Sequence, residues 1–173
     1  MKIREITPDD AEAFLDLCRK LDQETPFMLL EPDERTTTLP GQQAELAEMN
    51  ATDNATIFVA EDNETDPGTD RTSLVGYLGV YGGQYRRNQR TAYLVIGIRQ
   101  RFTGRGIGTR LFQAMETWAR EQGIHRLELT VITENQAAIA LYRKQGFSIE
   151  GTRSQTLYTA GRYQDEYWMA KLL

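Results

Sequence analysis

The stretch Arg101-Phe102-Thr103-Gly104-Arg105-Gly106-Ile107-Gly108-Thr109 decides how this chain is read. It joins the apolar run Thr91–Ile98, which reads as a strand, to Thr109–Gln122, where Leu111, Phe112, Met115, Trp118 and Ala119 recur at the spacing of one helix face. Three alternating glycines let the backbone curl so that successive N–H groups point into one concavity. The following helix adds unpaired donors and a positive dipole end. Arg99, Arg101, Arg105 and Arg110 are spaced to ring that concavity with guanidinium groups. A diphosphate suits such a place, but an ordinary glycine-rich turn has a similar composition, so spacing must separate the readings. A P-loop needs Gly-Lys-Ser/Thr at the helix start, and no lysine stands here. A dinucleotide fingerprint needs a glycine three residues after Gly106, where Thr109 stands. It also needs an acid at a following strand end, and Glu121 is still inside the helix.

Outward from this bend, Lys2–Ile6 reads as a short strand, and Thr7-Pro8-Asp9-Asp10 as a helix start with a threonine cap and proline in the first turn. Phe14, Leu17, Cys18 and Leu21 repeat at helical spacing, which makes Cys18 a core residue rather than a nucleophile. Pro26, Pro32 and Pro40 punctuate the next segment, and a second helix is expected over Gln42–Met49. Strands are expected at Ala55–Glu61 and Ser73–Tyr81 around a polar hairpin loop, Asp62–Thr72, and Gly82–Arg90 is a basic turn. Beyond the bend come a strand (His125–Ile132), a helix (Asn135–Gln145) stopped by Gly146, and two strands, Phe147–Tyr158 and Tyr163–Leu172. His125, at a strand start beside Arg126, reads as structural.

The chain has 173 residues, 40% of them apolar, which suits one domain with a real core over 1–173. A single cysteine and a single histidine exclude an internal disulfide, cysteine-cluster metal sites and multi-histidine sites. No apolar run approaches the roughly 20 residues of a membrane span, and the start shows no secretory pattern, so a cytoplasmic protein without metal is expected. The formal charge of −5 hides two unlike halves: residues 1–70 hold 5 basic against 18 acidic residues, residues 71–173 hold 15 against 7. Scattered arginines without an interleaved aromatic stripe argue against nucleic acid as a partner. The acidic half fits a cationic acceptor or lies over the basic half.

Arg101-x-x-Gly104-x-Gly106 with Ile107-Gly108 at a helix start resembles the acetyl-CoA-binding motif of the GNAT acyltransferase superfamily. At a matching distance Asn135-x-x-Ala138-x-x-Leu141-Tyr142-x-Lys144-x-Gly146-Phe147 is similar to that family's second motif. Glu150-Gly151-x-x-Arg153 and Gly161-Arg162-Tyr163-x-Asp165-Glu166-x-x-Met169 resemble the branch of ribosomal-protein N-terminal and small-amine acetyltransferases. The resemblance implies an α/β (α+β) fold: a mixed, mostly antiparallel sheet of about seven strands, helices on both faces, and an acetyl-CoA slot between the fourth and fifth strands. It implies transfer of acetyl from acetyl-CoA to a primary amine of a small molecule or of a protein amino terminus, by direct attack and without metal. The alternative is a catalytically idle CoA-binding sensor on the same fold. Relatives often form homodimers, and no nucleic-acid or membrane partner is implied.

By the same resemblance, Ile98 supplies backbone contacts, and Arg99, Arg101, Thr103, Gly104, Arg105, Gly106, Ile107, Gly108 and Thr109 hold the diphosphate. Asn135 contacts the cofactor or a water, and Tyr142 donates a proton to the sulfur. Many relatives carry a glutamate on the fifth strand as base, but Thr130 stands there, and Glu128 lies two residues off on the same face. The base is therefore unassigned. Phe27, Glu31, Tyr81 and Thr130 are candidate acceptor-pocket residues, with Glu34, Tyr85, Tyr158 and Tyr163 as further neighbours.

Overall fold

Period-two patterning gathers seven strands into one sheet in the computed structural model, which describes residues 1–65 and 72–173. The strands are β1 (Lys2–Glu5), β2 (Ala55–Thr65), β3 (Thr72–Gly82), β4 (Thr91–Ile98), β5 (Arg126–Ile132), β6 (Ser148–Thr159) and β7 (Arg162–Leu172), in spatial order β1-β2-β3-β4-β5-β7-β6. All neighbours run antiparallel except β4 and β5. The helices are α1 (Ala11–Glu24), α2 (Leu39–Asn50), α3 (Ile107–Glu121) and α4 (Gln136–Lys144). This is the mixed, mostly antiparallel architecture expected, and among the described residues no helix is long and apolar enough to cross a membrane.

Alternation along the strands sorts two cores onto two faces. Leu78, Val80, Ala92, Leu94, Leu127, Leu129 and Val131 meet Phe112, Met115, Ile139 and Tyr142 of α3 and α4. On the other face Ile57, Val59, Leu74 and Tyr77 meet Phe14, Leu17, Cys18, Leu21, Leu46 and Met49 of α1 and α2, with Val95 of β4 packed alongside. Cys18 is core, as expected, and burial pushes its thiol up to about 12, so it holds its proton at neutral pH.

Local chemistry sets the boundaries. Thr7 and Asp10 form a reciprocal capping box around a 3-10 turn, Pro8–Asp10, that leads into α1. The second helix begins at Leu39, three residues before the expected Gln42. Thr38 accepts from the Gly41 N–H at 3.2 Å, and Pro40 occupies the first turn, where its missing N–H would have no helical partner. The hairpin loop expected over 62–72 is shorter, because β2 runs to Thr65 opposite Thr72; residues 66–71 lie outside the described residues. The third helix starts at Ile107 rather than Thr109. Only Gly104 (φ +73°) and Gly106 (φ +76°) make the left-handed bend, and Gly108 is already helical. Ala160 and Gly161, both left-handed, close a two-residue hairpin between β6 and β7.

The seam between β4 and β5 positions the site. It holds three register pairs, Thr91 with Arg126, Ala92 with Leu127 and Tyr93 with Glu128, after which the strands part. The β5 strand instead pairs with β7 from Arg126 to Ile132. Bulges at Ala60/Glu61 on one side, and at Ile149/Gly151 and Arg153/Leu157 on the other, add twist within each half, so the halves diverge beyond a short seam.

Phe112, fully buried, holds the core beside that seam. Its ring meets Tyr142 at 6.0 Å and Phe147 at 5.7 Å, both edge-on. Phe112→Ala is expected to cost about 3–5 kcal/mol, read as a lower urea midpoint at unchanged slope.

Candidate active site

Backbone accounting shows what the parted strands expose. Gly83 N–H donates to Thr91 O at 3.0 Å and Arg99 N–H to Val75 O at 2.9 Å, so odd-numbered residues of β4 point their peptide groups toward β3. Leu94, Ile96 and Ile98 therefore point theirs toward β5; the Tyr93–Glu128 bridge takes up the Leu94 N–H, and beyond it the Leu94 carbonyl and the peptide groups of Ile96 and Ile98 have no β5 partner in the ladder. The result is an unpaired strand edge about 13 Å long. Ile98 was expected there; Ile96 follows from the same period of two and was missed.

At the open end of this edge lies the glycine bend. The first hydrogen bond within α3 runs from Arg110 N–H to Gly106 O at 3.1 Å. The N–H groups of residues 104–109 have no backbone partner among the described residues. A Cβ added at Gly104 or Gly106 would meet nothing within 4 Å, so the space before these amides is open, while one at Gly108 would stand 2.7 Å from Leu141 Cδ2. Gly104 and Gly106 thus supply backbone conformation, and Gly108 supplies close packing of α3 against α4. Arg101 and Arg105 both stack on the Phe102 ring, 4.7 and 5.0 Å from its centroid, so a buried phenylalanine holds two cations beside the amides. Arg99 is differently placed, with Nε and Nη2 both donating to Glu24 Oε1 at 2.9 and 2.6 Å. Glu24 Oε2 accepts from the Gln100 N–H at 2.9 Å. Thr109 accepts from Gln145 Nε2 at 3.5 Å.

Tyr142 lies on the α3/α4 face. Gly146 (φ +89°) ends α4 in a left-handed cap, Phe147 N–H returns to Tyr142 O at 3.0 Å, and the Phe147 ring packs 6.2 Å from that of Tyr142. The Gly-Phe pair of the motif thereby fixes the tyrosine. Burial, with a smaller contribution from Tyr93, pushes the Tyr142 phenol well above its ordinary range, so it stays protonated at neutral pH. Asn135 is the N-cap of α4, accepting from the Ala138 N–H at 3.2 Å, so its carbonyl oxygen is engaged and its amide group remains as donor.

The opposite face carries a polar and aromatic floor. Tyr93 Oη and Thr130 Oγ1 lie 2.7 Å apart across the seam's last pairs. The Trp168 ring lies 6.2 Å from Tyr93, and the Arg153 guanidinium stands 5.6 Å over Trp168. Glu128 is taken up by Arg126 Nε at 2.9 Å. Tyr81 folds back over Gly79, whose added Cβ would lie 2.8 Å from its ring; burial, with Glu45 nearby, pushes its phenol up to about 12. Tyr81 and Thr130 thus share this face. Phe27 and Glu31 lie on the segment after α1, where Phe27 is 42% and Leu29 77% exposed, so neither anchors it. Ion pairs fasten that segment instead. Arg35 Nε and Nη2 donate to the buried Asp22 at 2.6 and 3.0 Å, and Glu24 holds Arg99 at the other end. The Glu34 carboxylate accepts from the Glu31 N–H at 2.8 Å. Sequence reasoning missed Glu24, Phe102, Tyr93 and Trp168. Glu24 alone had a signal, an acid at the C-terminal end of a helix, where the dipole disfavours it without a cationic partner. A hollow of about 320 Å³ lined by Glu5, Asn50, Asp53, Trp118 and Gln122 lies by β1, β2 and α3, away from this opening.

Residues 16–147 match the Acetyltransferase (GNAT) family. An acetyltransferase of the GNAT family from Streptococcus pneumoniae superposes with a TM-score of 0.90 at 32% identity, over 99% of each chain. A ribosomal-protein-alanine N-acetyltransferase from Brucella melitensis does so with 0.83 at 27% identity, over 100% of each chain. The chain is also 35% identical over 103 residues to an L-amino acid N-acetyltransferase, AaaT, of Escherichia coli, covering 57% of this chain and 62% of that protein. These relatives match the branch that the resemblance implied.

Partial burial alone would raise the Glu24 carboxyl, but the bonds from Arg99 and Gln100 outweigh it and hold it below its ordinary value. Its contribution is present above the unfolded-state carboxyl pKa and lost as pH falls through the lower folded value. Glu24→Gln is expected to cost about 1–2 kcal/mol at neutral pH. The gap to the parent should close on acidification, as followed by urea denaturation across pH 3–7.

Proposed function

Because the chain belongs to the Acetyltransferase (GNAT) family, we propose that it transfers an acetyl group from acetyl-CoA to a primary amine of a small molecule or a protein amino terminus. The observation that carries this reading is the unpaired edge of β4 running into the open amides of the glycine bend. One feature offers peptide hydrogen bonds in a line and the other offers N–H groups and a helix N-terminus to phosphate, a pairing that fits pantetheine followed by a diphosphate. When bound, acetyl-CoA supplies an acetyl thioester.

The chain's own residues divide the work. The amides of residues 104–109 bind the diphosphate, with Arg101 and Arg105 beside them on Phe102; the Thr103 N–H is taken by Gln100 O at 3.2 Å. Arg99, held by Glu24, positions the β4 exit rather than meeting phosphate directly. Ile96 and Ile98 orient the acyl arm through backbone groups, and their N–H donors polarise the carbonyl. The unpaired edge of β4 would hold the acyl arm of a cofactor whose diphosphate sits at the bend, with Tyr142 on the α3/α4 side of the sheet and the Tyr93–Thr130 pair on the other. The Tyr142 phenol, kept protonated by burial, gives its proton to the departing sulfur. Phe27, Glu31 and Tyr81 frame the approach of the amine. A second reading, an idle CoA-binding module, draws on the threonine at 130 where relatives place a carboxylate.

Calorimetric titration with acetyl-CoA, with NADH and ATP as controls, tests the cofactor, and thiol release over an amine panel tests the reaction. Saturable binding of acetyl-CoA alone with amine-dependent thiol release is expected; binding without release would favour the idle module, and no binding would refute both. Tyr142→Phe is expected to lower turnover tenfold or more while acetyl-CoA affinity holds. Gly106→Asp, which sets a carboxylate against the phosphate-facing amides at a left-handed position, is expected to weaken acetyl-CoA binding about 100-fold or more.

A further inference from the structure

We infer that Tyr93 of β4, steadied by Thr130 of β5, is the residue that receives the acceptor: its hydroxyl takes an N–H of the neutral amine and so aims the nitrogen lone pair. The inference rests on the acetyl-transfer reading above.

Register gives the placement. Tyr93 is the last residue of β4 to pair with β5, and its partner there is Glu128. Its hydroxyl reaches past that rung to Thr130, two residues farther along β5, and the two oxygens lie 2.7 Å apart. A side-chain bridge therefore spans the first level at which the backbones have parted. It stands at the start of the unpaired β4 edge, with no strand between it and that edge. Opposed residues share a face and so do residues two apart, so Tyr93, Thr130 and Trp168 all lie on the side away from α3 and α4.

A second relation ties Tyr93 to the reacting groups. Burial first, and then Tyr93, push the Tyr142 phenol up, so the two phenols stand within electrostatic reach of each other across the fork. No hydrogen bond reaches the Tyr142 hydroxyl among the described residues, and no buried side-chain oxygen there lacks a partner, so that hydroxyl opens to solvent. The acyl carbon is bonded to the sulfur that Tyr142 protonates, so an attacking amine must come close to this hydroxyl. Tyr93 approaches the same place from the opposite face.

The hydroxyl pair is suited to accept N–H groups. Two hydroxyls carry four lone pairs and two hydrogens, and their mutual bond uses one of each, leaving three lone pairs free. Tyr93 is held at both ends: its oxygen by Thr130, and its ring by Trp168 at 6.2 Å, over which the Arg153 guanidinium stands at 5.6 Å. Tyr93 and Thr130 are both half-buried, so the pair is restrained and still open to a ligand.

The surrounding charges give the pair no counter-ion to offer. From β5 Glu128 faces Tyr93, but its carboxylate is taken by Arg126 Nε at 2.9 Å, and Arg126 also holds Glu150 of β6. From β3 comes Tyr81, opposite Tyr93 in register, with Glu45, Cys18 and Arg35 within electrostatic reach of it. From β7 comes Trp168 with Arg153 of β6 over it, and from α4 comes Tyr142. Among the described residues no carboxylate bonds to either hydroxyl, which are bonded to each other. An ammonium entering here would lose water and gain no opposite charge, so the neutral amine is the form the pair takes.

The protons balance. The ammonium leaves one proton in solvent, and the neutral nitrogen donates one N–H to Tyr93 Oη. Its lone pair forms the N–C bond as the C–S bond breaks with its electron pair on sulfur. Tyr142 protonates that sulfur, and the excess proton of the acylated nitrogen restores the phenol. Tyr93 gains and loses none.

The test compares wild type with Tyr93→Phe, Thr130→Val, Thr130→Ser and the double variant of Tyr93→Phe with Thr130→Val. It uses acetyl-CoA and the best acceptor from the amine panel over about pH 6–10. Wild-type kcat/KM for the amine is expected to climb about tenfold per pH unit and to level at the amine's own pKa. Tyr93→Phe should keep that breakpoint and lower the whole curve about tenfold or more. Thr130→Val should lower it about 3–10-fold, and Thr130→Ser, which keeps the hydroxyl, should recover most of that loss. The double variant should fall no further than Tyr93→Phe alone. Without turnover, calorimetric titration of the amine into enzyme saturated with CoA should show about 3–10-fold weaker binding in Tyr93→Phe. Acetyl-CoA affinity and the thermal midpoint should hold. An undiminished curve in Tyr93→Phe overturns the proposal, as does a loss that comes with weaker acetyl-CoA binding or one additive with that of Thr130→Val. A wild-type plateau reached well below the amine's own pKa, the mark of a base on the enzyme, overturns it too. If Tyr93→Phe does not fold, Thr130→Val against Thr130→Ser decides by the same readouts, and equal curves for the two overturn the proposal. A wild type that turns over no amine fails the acetyl-transfer reading itself, a different result from an active wild type indifferent to Tyr93→Phe.

Discussion

Three parallel residue pairs join the two halves of this sheet, and the site depends on their stopping at Tyr93 and Glu128. Had the ladder continued, the peptide groups of Ile96 and Ile98 would be satisfied by β5, and no edge would face a ligand. An unpaired peptide group sealed from water costs about 1–3 kcal/mol, so such an edge is tolerable only where solvent or a bound molecule reaches it. The halves can part because each is internally complete, β1–β4 by antiparallel ladders and β5–β7–β6 by its own. Close packing of Gly108, Leu141 and Ile98 then holds the bend at the open end.

Parting the strands also separates two chemical environments. On the α3/α4 side Tyr142 sits among Phe112 and Phe147, where exclusion of water keeps a phenol protonated. On the other side, outside the core of α1 and α2, lie Tyr93, Thr130, Trp168, Arg153 and Glu166, with carboxylate and guanidinium groups within reach of solvent. The uneven charge of the chain has a modest place here. Arg4 pairs with Asp10 and Glu61, and Arg35 with Asp22, within the acidic half; Arg126, Arg153 and Lys171 pair within the basic half. Glu24–Arg99 joins the two, where α1 meets the exit of β4.

What was legible in the sequence follows from the range of the forces involved. Helix starts, the seven strands and the glycine bend were readable because capping, alternation and left-handed backbone are local. Helix α2 was misjudged by three residues because Pro40 was read as a breaker, although the first helical turn tolerates it. Gly108 was grouped with the bending glycines, but its reason is Leu141, thirty-three positions away and visible only after packing. Arg99 has the same composition signal as Arg101, yet one is bound by Glu24 and the other stacks on Phe102. No periodicity distinguishes them. The acceptor side was least legible because its residues come from four strands and meet only through register.

The threonine at 130 bears on which amines such a site can serve. An alkyl ammonium with a pKa near that of lysine, about 10.4, is some 3 units above neutrality, so freeing its lone pair at pH 7 costs about 4–5 kcal/mol. A peptide amino terminus, near 7.7–8.0, costs only about 1 kcal/mol. A carboxylate directly on β5 beside the slot would help most with the first. The Tyr93–Thr130 pair meanwhile fills that position with two hydroxyls joined by one hydrogen bond and sets no carboxylate there. Threonine on β5 thus lowers the desolvation cost at the slot, and it leaves the work on the proton to the amine's own acidity.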